Sequence, residues 1–395
     1  MNKHTKFFSI MFLLINLLFL NIAVANAADG KWEVVGKTGF ILPWARPAIA
    51  LSSNSTPYVA YIDNSTMKPL VKKYNGNMWI LVGDNNISNK GSSDIAMTID
   101  ANDNLFVVYG EYDQGYKLSV VKMLKNSTSW TRVGLAGFSD GAVNNARTIS
   151  ITTDKSGVPY VAYMDTAHEN KATVKKYNVT GNSWDTVGSE GFSATEASNI
   201  TIAVDGHDTQ YVSYEDNNSK AIVMKFDGTA WNLVDTSASP GFAEDVSMAI
   251  DSKDTPYVGF RDFEVNPPRA SVVKYNAPSW DFVGKQGFPA SFSPYPMIAL
   301  DEKDILYIAF SDKTETWKAS VMKFDGMNWN YLGASGFSKD TADETRIAVR
   351  NDKVYVLYMD YSTSDNWDTN WTVMKYATPE IGHTVIAPII NFLLD

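Results

Sequence analysis

The 395-residue chain contains no cysteine. That excludes disulfides, thiolate nucleophiles, thiolate zinc sites and a lipidated N-terminal Cys. Histidine is scarce as well. Outside the N-terminal leader only His168, His207 and His383 occur, at no metal-ligating spacing. There is no Gly-x-Ser-x-Gly elbow and no glycine-rich phosphate loop. Bases are outnumbered by acids, 34 to 44, which gives a formal charge of −10. So acidic a surface argues against nucleic acid or anionic lipid as a partner held by charge. What is present is a folded protein's composition, 45% apolar and 13% aromatic.

Residues 1–27 read as a secretory signal. Lys3 and Lys6 form the basic start, Phe7–Ile22 is apolar apart from Ser9, Asn16 and Asn21, and Ala25-Asn26-Ala27 is a small-x-small cleavage site. Cleavage would take the formal charge to −12, since only the two lysines are lost. The expected location is secreted, extracellular or at the cell surface, with the periplasm as a further option. Residues 378–395 form an apolar tail. Its run Thr384–Leu394 is too short for a bilayer, which needs about 20 residues.

Between these ends the chain repeats. Trp32-Glu-Val-Val-Gly36 recurs as Trp79–Gly83, Trp130–Gly134, Trp184–Gly188, Trp231–Asp235, Trp280–Gly284 and Trp329–Gly333. The spacings are 47, 51, 54, 47, 49 and 49 residues. A period near 50 filled by four short strand signals predicts a propeller blade. The blade-5 strands are predicted at 246–250, 256–260, 270–275 and 280–283. Seven first-strand signals begin near Ala48, Ile95, Ile149, Ile200, Val246, Met297 and Ile347. The last unit lacks a following Trp motif, whereas the chain begins with one. The prediction is therefore an all-β, seven-bladed β-propeller over residues 31–377. Its N-terminal strand completes blade 7 and fastens the ring.

The repeats resemble secreted bacterial and archaeal β-propellers carrying W-x-x-V-G-x-x-G-F and P-Y-V-A-Y-x-D in each blade. Gly-x-x-Gly-Phe follows five of the seven Trp motifs. It departs at Gly83–Ile87, and Gly241-Phe242 is reached only after an insertion. The resemblance implies architecture and no activity. Pro379-Glu380-Ile381 with the apolar tail resembles the start of a PEF- or PEP-type sorting tail, which would imply membrane association only if the tail is a sorting signal.

The repeated Trp and Phe are expected to pack between blades. The second strand ends in an aromatic-x-acid step in every blade, from Tyr61-x-Asp63 to Tyr358-x-Asp360. A base opens the third strand in six blades, so acid and base are expected to bracket one hairpin loop. Asp-headed turns such as Asp100–Asn104 and Asp205–Thr209 lack a calcium loop's ligand ladder and are expected to stabilise turns.

A single ligand site needs asymmetry, so the departures from the repeat mark the candidate. Four Trp lie off the pattern: Trp44, Trp317, Trp367 and Trp371. In blade 7, Asn370 replaces the bracket base, which leaves Asp360 without its repeat partner. The predicted ligand-binding set is Trp44, Arg46, Trp317, Asp360, Tyr361, Trp367 and Trp371. Aromatic faces and a carboxylate suit a sugar. The alternative is a loop folded over its own Trp residues. Should the site lie elsewhere, the next candidate is the channel mouth around Asp94, Asn199, Asp245 and Tyr295. Arg46, Arg147 and Arg346 near the inner-strand starts could clamp a carboxylate.

No cofactor, metal or catalytic residue is implied. The functional expectation is a secreted or surface binding module, monomeric, for a glycan or an extracellular protein. The alternative is a secreted glycoside hydrolase or polysaccharide lyase on the same scaffold.

Overall fold

The structure, a computed structural model, describes residues 30–43, 45–83, 87–88, 90–143, 148–363 and 370–378. It holds seven four-stranded antiparallel sheets, an all-β ring of seven blades. Blade 3 is typical. Its strands run Ile149–Thr153, Pro159–Asp165, Lys171–Asn178 and Ser183–Thr186 from the channel outward, each paired with the next. Blade 7 takes Ala342–Arg350, Lys353–Asp360 and Asn370–Ala377, and its outer strand is Lys31–Val34. Trp32 pairs with Tyr376 and Val34 with Met374. The one-strand offset read from the sequence is therefore the closure of the ring.

The core lies between blades as seven layers. In one of them Val108, Leu118 and Val120 of blade 2 meet Ile149, Val161 and Tyr163 of blade 3. Second strands such as Leu105–Glu111 and Leu306–Asp312 are buried at every residue, because both faces of each blade are covered. This is why they read as near-continuous apolar runs rather than alternating ones.

The Trp motif closes each layer from outside. Every motif indole donates to a backbone carbonyl of the preceding blade's outer edge: Trp79 to Val35, Trp130 to Val82, Trp184 to Val133, and so round to Trp32 and Leu332, at 2.7–3.2 Å. The motif Gly is required by the same contact. Gly36 has φ +77°, and a Cβ there would meet the Trp79 ring at 3.0 Å. In five layers the Phe of Gly-x-x-Gly-Phe then stacks on the next blade's Trp, as Phe138 does on Trp184 at 4.3 Å.

The aromatic-x-acid step is structural, but the partner differs from the expected base. In blades 2, 3, 5, 6 and 7 the acid accepts from a hydroxyl on the third strand: Ser119 to Glu111, Thr173 to Asp165, Ser271 to Asp262, Ser320 to Asp312 and Thr372 to Asp360. Each hydroxyl oxygen accepts in turn from a Gly-x-x-Gly backbone N–H, those of Gly137, Gly191, Gly287, Gly336 and Gly39, at 2.8–3.0 Å. Blades 1 and 4 carry Leu70 and Ile222 at the hydroxyl position. These are the two blades whose following Gly-x-x-Gly-Phe departs from the pattern. On the opposite side of the ring the Asp-headed turns hold their own backbone. Asp100 Oδ1 accepts from Asn102 N and Asn104 N, and Asp205 Oδ1 from His207 N and Thr209 N.

Candidate functional site

The loops after each second strand bond to the segments entering the inner strands. Asn64 N donates to Leu42 O, Phe263 N to Phe242 O, Lys313 N to Phe292 O and Tyr361 N to Thr341 O. Both sets therefore share one face, at the mouth of the central channel.

The inner strands start at that mouth. Strand pairing aligns them through Ala48↔Ala60, Ala96↔Val108, Ser150↔Ala162, Thr201↔Ser213, Ser247↔Gly259, Met297↔Ala309 and Arg346↔Leu357. Two residues upstream, the same position holds Arg46, Asp94, Thr148, Asn199, Asp245, Tyr295 and Glu344. The motif Trp position repeats one residue type, whereas this one carries six. Five of the seven take left-handed backbone: Asp94 (φ 29°), Asn199 (49°), Asp245 (57°), Tyr295 (57°) and Glu344 (51°). Asp and Asn tolerate that conformation; Tyr and Glu adopt it at a cost. In blades 2, 4, 5 and 7 the strand register shifts here, a bulge that re-aims the side chain.

Three of these residues, Asn199, Asp245 and Tyr295, line a cavity of about 240 Å³. Ser150, Asn199, Thr201, Asp245, Tyr295 and Arg346 form its polar lining, and Ile149, Ile200, Val246 and Met297 its apolar part. The polar groups are tied to one another. Asn199 Nδ2 donates to Glu215 Oε2 at 2.7 Å, and Tyr295 N to Asp245 Oδ2 at 3.1 Å. Thr345 Oγ1 donates to Tyr295 O at 2.9 Å, and Arg346 Nη1 to Thr345 O at 3.0 Å. Arg46 grips both oxygens of Glu344 through Nε and Nη2. Such preorganised donors and acceptors are what positions a polar ligand.

Asp94 holds the same register position in blade 2, its Oδ2 accepting from Thr148 Oγ1 at 3.4 Å. Burial pushes its carboxyl up to about 7, against the pull of hydrogen bonds from Ile95 and Thr148 and the charge of Arg46.

An aromatic rim adjoins the mouth at blades 5 and 6. The Arg261 guanidinium lies 5.2 Å from the ring centre of Phe263 and 5.5 Å from that of Phe292. It also pairs with Glu244 and, through Nε at 3.4 Å, with Asp245. Phe292 meets Trp317 edge-on at 5.5 Å, and Lys313 Nζ sits 5.4 Å from the Trp317 ring centre.

Of the residues expected from the sequence, Arg46, Trp317 and Tyr361 lie on this face. Trp317 is half-buried, with φ +65°. Tyr361 is exposed, and its hydroxyl donates to Asp343 Oδ2 at 3.4 Å. Burial and the neighbouring carboxylate raise its phenol's pKa. Two expectations are corrected. Trp371 is 2% exposed, packed with Val35, Ile41 and Leu357 between blades 7 and 1, so it offers no face to a ligand. Asp360 is fully buried, accepting from Thr372 Oγ1 at 2.5 Å and Ser362 N at 2.9 Å. Replacing the bracket base by Asn370 frees nothing, because the hydroxyl holds the acid. Trp44, Trp367 and Arg147 lie outside the described residues. Sequence reasoning missed Glu344, Arg261, Phe263 and Phe292. Aligning the inner-strand starts rather than the Trp motifs would have exposed Glu344 as a member of the variable position.

Two other places were candidates by shape or composition. A cleft of about 890 Å³ runs between blades 3 and 4 on the side of the Asp-headed turns. Its lysines are engaged internally: Lys176 Nζ is 3.8 Å from Asp154 and 4.9 Å from the Tyr160 ring centre, and Lys225 Nζ is 5.2 Å from that of Tyr211. On that same side Asp205, His207 and Asp254 come close enough to share a metal ion. Their atoms already knit the turns together, with Asp254 accepting from Gly206 N at 2.6 Å and meeting His207 Nδ1 at 2.6 Å.

No protein-family model matches the chain, and no curated protein matches it. Solved structures do resemble it. An ulvan lyase, a polysaccharide lyase bound to -[GlcA(1-4)Rha3S]-, is 12% identical over 88% of this chain and 94% of its own, with a TM-score of 0.52. The polysaccharide lyase Uly1 is 10% identical over 88% and 92%, with a TM-score of 0.52. The Aleuria aurantia lectin in complex with Fucalpha1-6GlcNAc is 15% identical over 76% and 97%, with a TM-score of 0.49. At such identities the likeness is one of fold.

Proposed function

We propose that the protein is a carbohydrate-binding propeller that works outside the cell without turning its ligand over, and that the glycan seats at the channel mouth. The observation that carries this reading is the variable position. One register position, repeated seven times, holds Arg46, Asp94, Thr148, Asn199, Asp245, Tyr295 and Glu344, five of them in left-handed backbone. Holding Tyr and Glu in that backbone costs stability, which packing alone does not call for. The cavity pairs an amide, hydroxyls, a carboxylate and a guanidinium with an apolar part, a combination that suits sugar hydroxyls and C–H faces.

A panel of soluble polysaccharides, run as affinity electrophoresis and assayed for released products, tests it. Retention without product, abolished by Arg346→Ala in a protein that melts normally, is the expected result. Retention untouched by Arg346→Ala removes the site from the mouth.

Asp94 supports a second reading, a carbohydrate-active enzyme. A buried carboxyl poised near neutrality at the inner-strand starts is suited to proton transfer. Product formation by the parent that is lost in Asp94→Asn would favour the enzyme over the binding module.

A further inference from the structure

At the repeat Phe position blade 4 carries Ala238, whose N–H donates to Ala221 O as that of Phe192 does to Ala172 O. In five layers the equivalent ring stacks on the next blade's Trp at 4.0–4.4 Å. Phe242 lies four residues further on, at the loop position of Glu196 and Thr341, and stands 58% exposed. Trp280 keeps the repeat's tilted contact, with Tyr275 at 5.3 Å, and packs on the cluster that holds Val234 and Ala238. So large an apolar ring left exposed on the loop forgoes its packing energy, and it matters when a second ring adjoins it.

Phe242 lies beside a second exposed ring. Phe263 N donates to Phe242 O at 3.1 Å, and Phe263 is 38% exposed. Phe263 leads back to the cavity in two steps. Its ring centre is 5.2 Å from the Arg261 guanidinium, and Arg261 Nε is 3.4 Å from Asp245, which lines the cavity and accepts from Tyr295 N. Arg261 is fixed between two rings and two carboxylates, so this part of the rim is rigid. Sugar-ring C–H faces are apolar and their edges are hydroxylated. A flat ring beside an immobilised guanidinium presents both complements at once.

Resting on the reading of the mouth as a glycan site, we propose that Phe242 and Phe263 form a stacking subsite continuous with it, so that the ligand is an oligosaccharide chain rather than a single sugar. One unit sits in the mouth, and its neighbour lies over Phe263 towards Phe242. The subsite discriminates by chain length and by ring face. The mouth discriminates by hydroxyl pattern.

The test is a length series. Gluco-, manno-, xylo-, N-acetylglucosamine and uronate oligosaccharides of one to six units are titrated against the parent, Phe242→Ala, Phe263→Ala, Phe263→Trp and Arg346→Ala. In the parent, affinity should rise about tenfold or more from one unit to three, the scale of an aromatic hot spot. Each Phe→Ala variant should flatten that rise while binding the single unit as the parent does. Phe263→Trp should keep the rise, and Arg346→Ala should weaken every length alike. Phe242 is 58% exposed, so Phe242→Ala should leave the melting temperature in place, and Phe263→Trp, which keeps a ring against Arg261, controls for any loss in Phe263→Ala. A parent whose affinity ignores length, or Phe→Ala losses equal at every length, overturns the subsite and leaves the mouth standing. No binding by the parent to any member of the series overturns both.

Discussion

The indole of Trp32 donates a hydrogen bond to the carbonyl of Leu332, 300 residues away, at 2.8 Å. Trp32 also stacks on Phe337 at 4.0 Å, so one N-terminal residue clamps blade 7 to blade 6. Removing Lys31–Phe40 deletes the outer strand of blade 7 and both contacts. The melting temperature should fall by many degrees, and an unchanged melt would sink the closure. Trp32→Phe keeps a ring and loses only the hydrogen bond, which should cost about 1 kcal/mol in denaturant titrations.

Thr372 makes a second kind of prediction. Its hydroxyl donates to the buried Asp360 and accepts from Gly39 N. Thr372→Val keeps the shape and strands both partners. The expected loss is about 2–4 kcal/mol, since a buried acceptor and a backbone donor are left short. Thr372→Ser restores the bonds and should recover most of it. Equal stability of the Val and Ser variants would mean that water replaces the hydroxyl.

These two cases show what the sequence could and could not tell. The Trp motifs and their spacing specify blade number and closure, because each motif does one repeated job at one register position. The acid's partner was misread because the nearest opposite charge in sequence, the base opening the third strand, is not the group that reaches it. The signal was present all the same, since Leu70 and Ile222 replace the hydroxyl in the two blades whose following glycine motif departs. The site was misread for a related reason. An off-pattern Trp says nothing about which way it faces, and Trp371 faces the core. The mouth was already legible through Asp94, Asn199, Asp245 and Tyr295, and strand pairing added Thr148 and Glu344 to the same position as Arg46.

Asp94 gives the fold an unusual pH dependence. Burial pushes its carboxyl from an ordinary 3.8 up to about 7 in the folded protein. Between these values the folded state binds the extra proton, so this group's contribution to stability is full below about pH 4 and is lost as pH rises through 7. The whole effect is at most about 4 kcal/mol. Asp103 works the other way. Its carboxyl is held down to about 2 by Lys125 and Ser53 against the upward push of burial, so the stability it adds above its ordinary value is lost as pH falls toward 2. Asp94→Asn should therefore stabilise at pH 8 and flatten the stability profile between pH 4 and 7. A variant profile parallel to the parent's in that window would count against a buried, proton-holding Asp94.

The mouth and the scaffold should separate in a pair of variants. Tyr295 holds φ 57°, a conformation that glycine adopts freely and tyrosine only at about 1–2 kcal/mol. Tyr295→Gly relieves that cost and loses the contacts of a half-buried ring, so global stability should change by no more than about 1 kcal/mol. Glycan retention should vanish, because the ring and its placement beside Asp245 and Arg346 are gone. Trp184→Ala should do the reverse. It removes the stack on Phe138 and the bond to Val133, and should cost about 3–5 kcal/mol while the protein that remains folded still binds. Measured together by calorimetry and affinity electrophoresis, the two variants assign Tyr295 to recognition and Trp184 to architecture. If Tyr295→Gly destabilises as much as Trp184→Ala, or binds as the parent does, the strained position is part of the scaffold and the site is not the mouth.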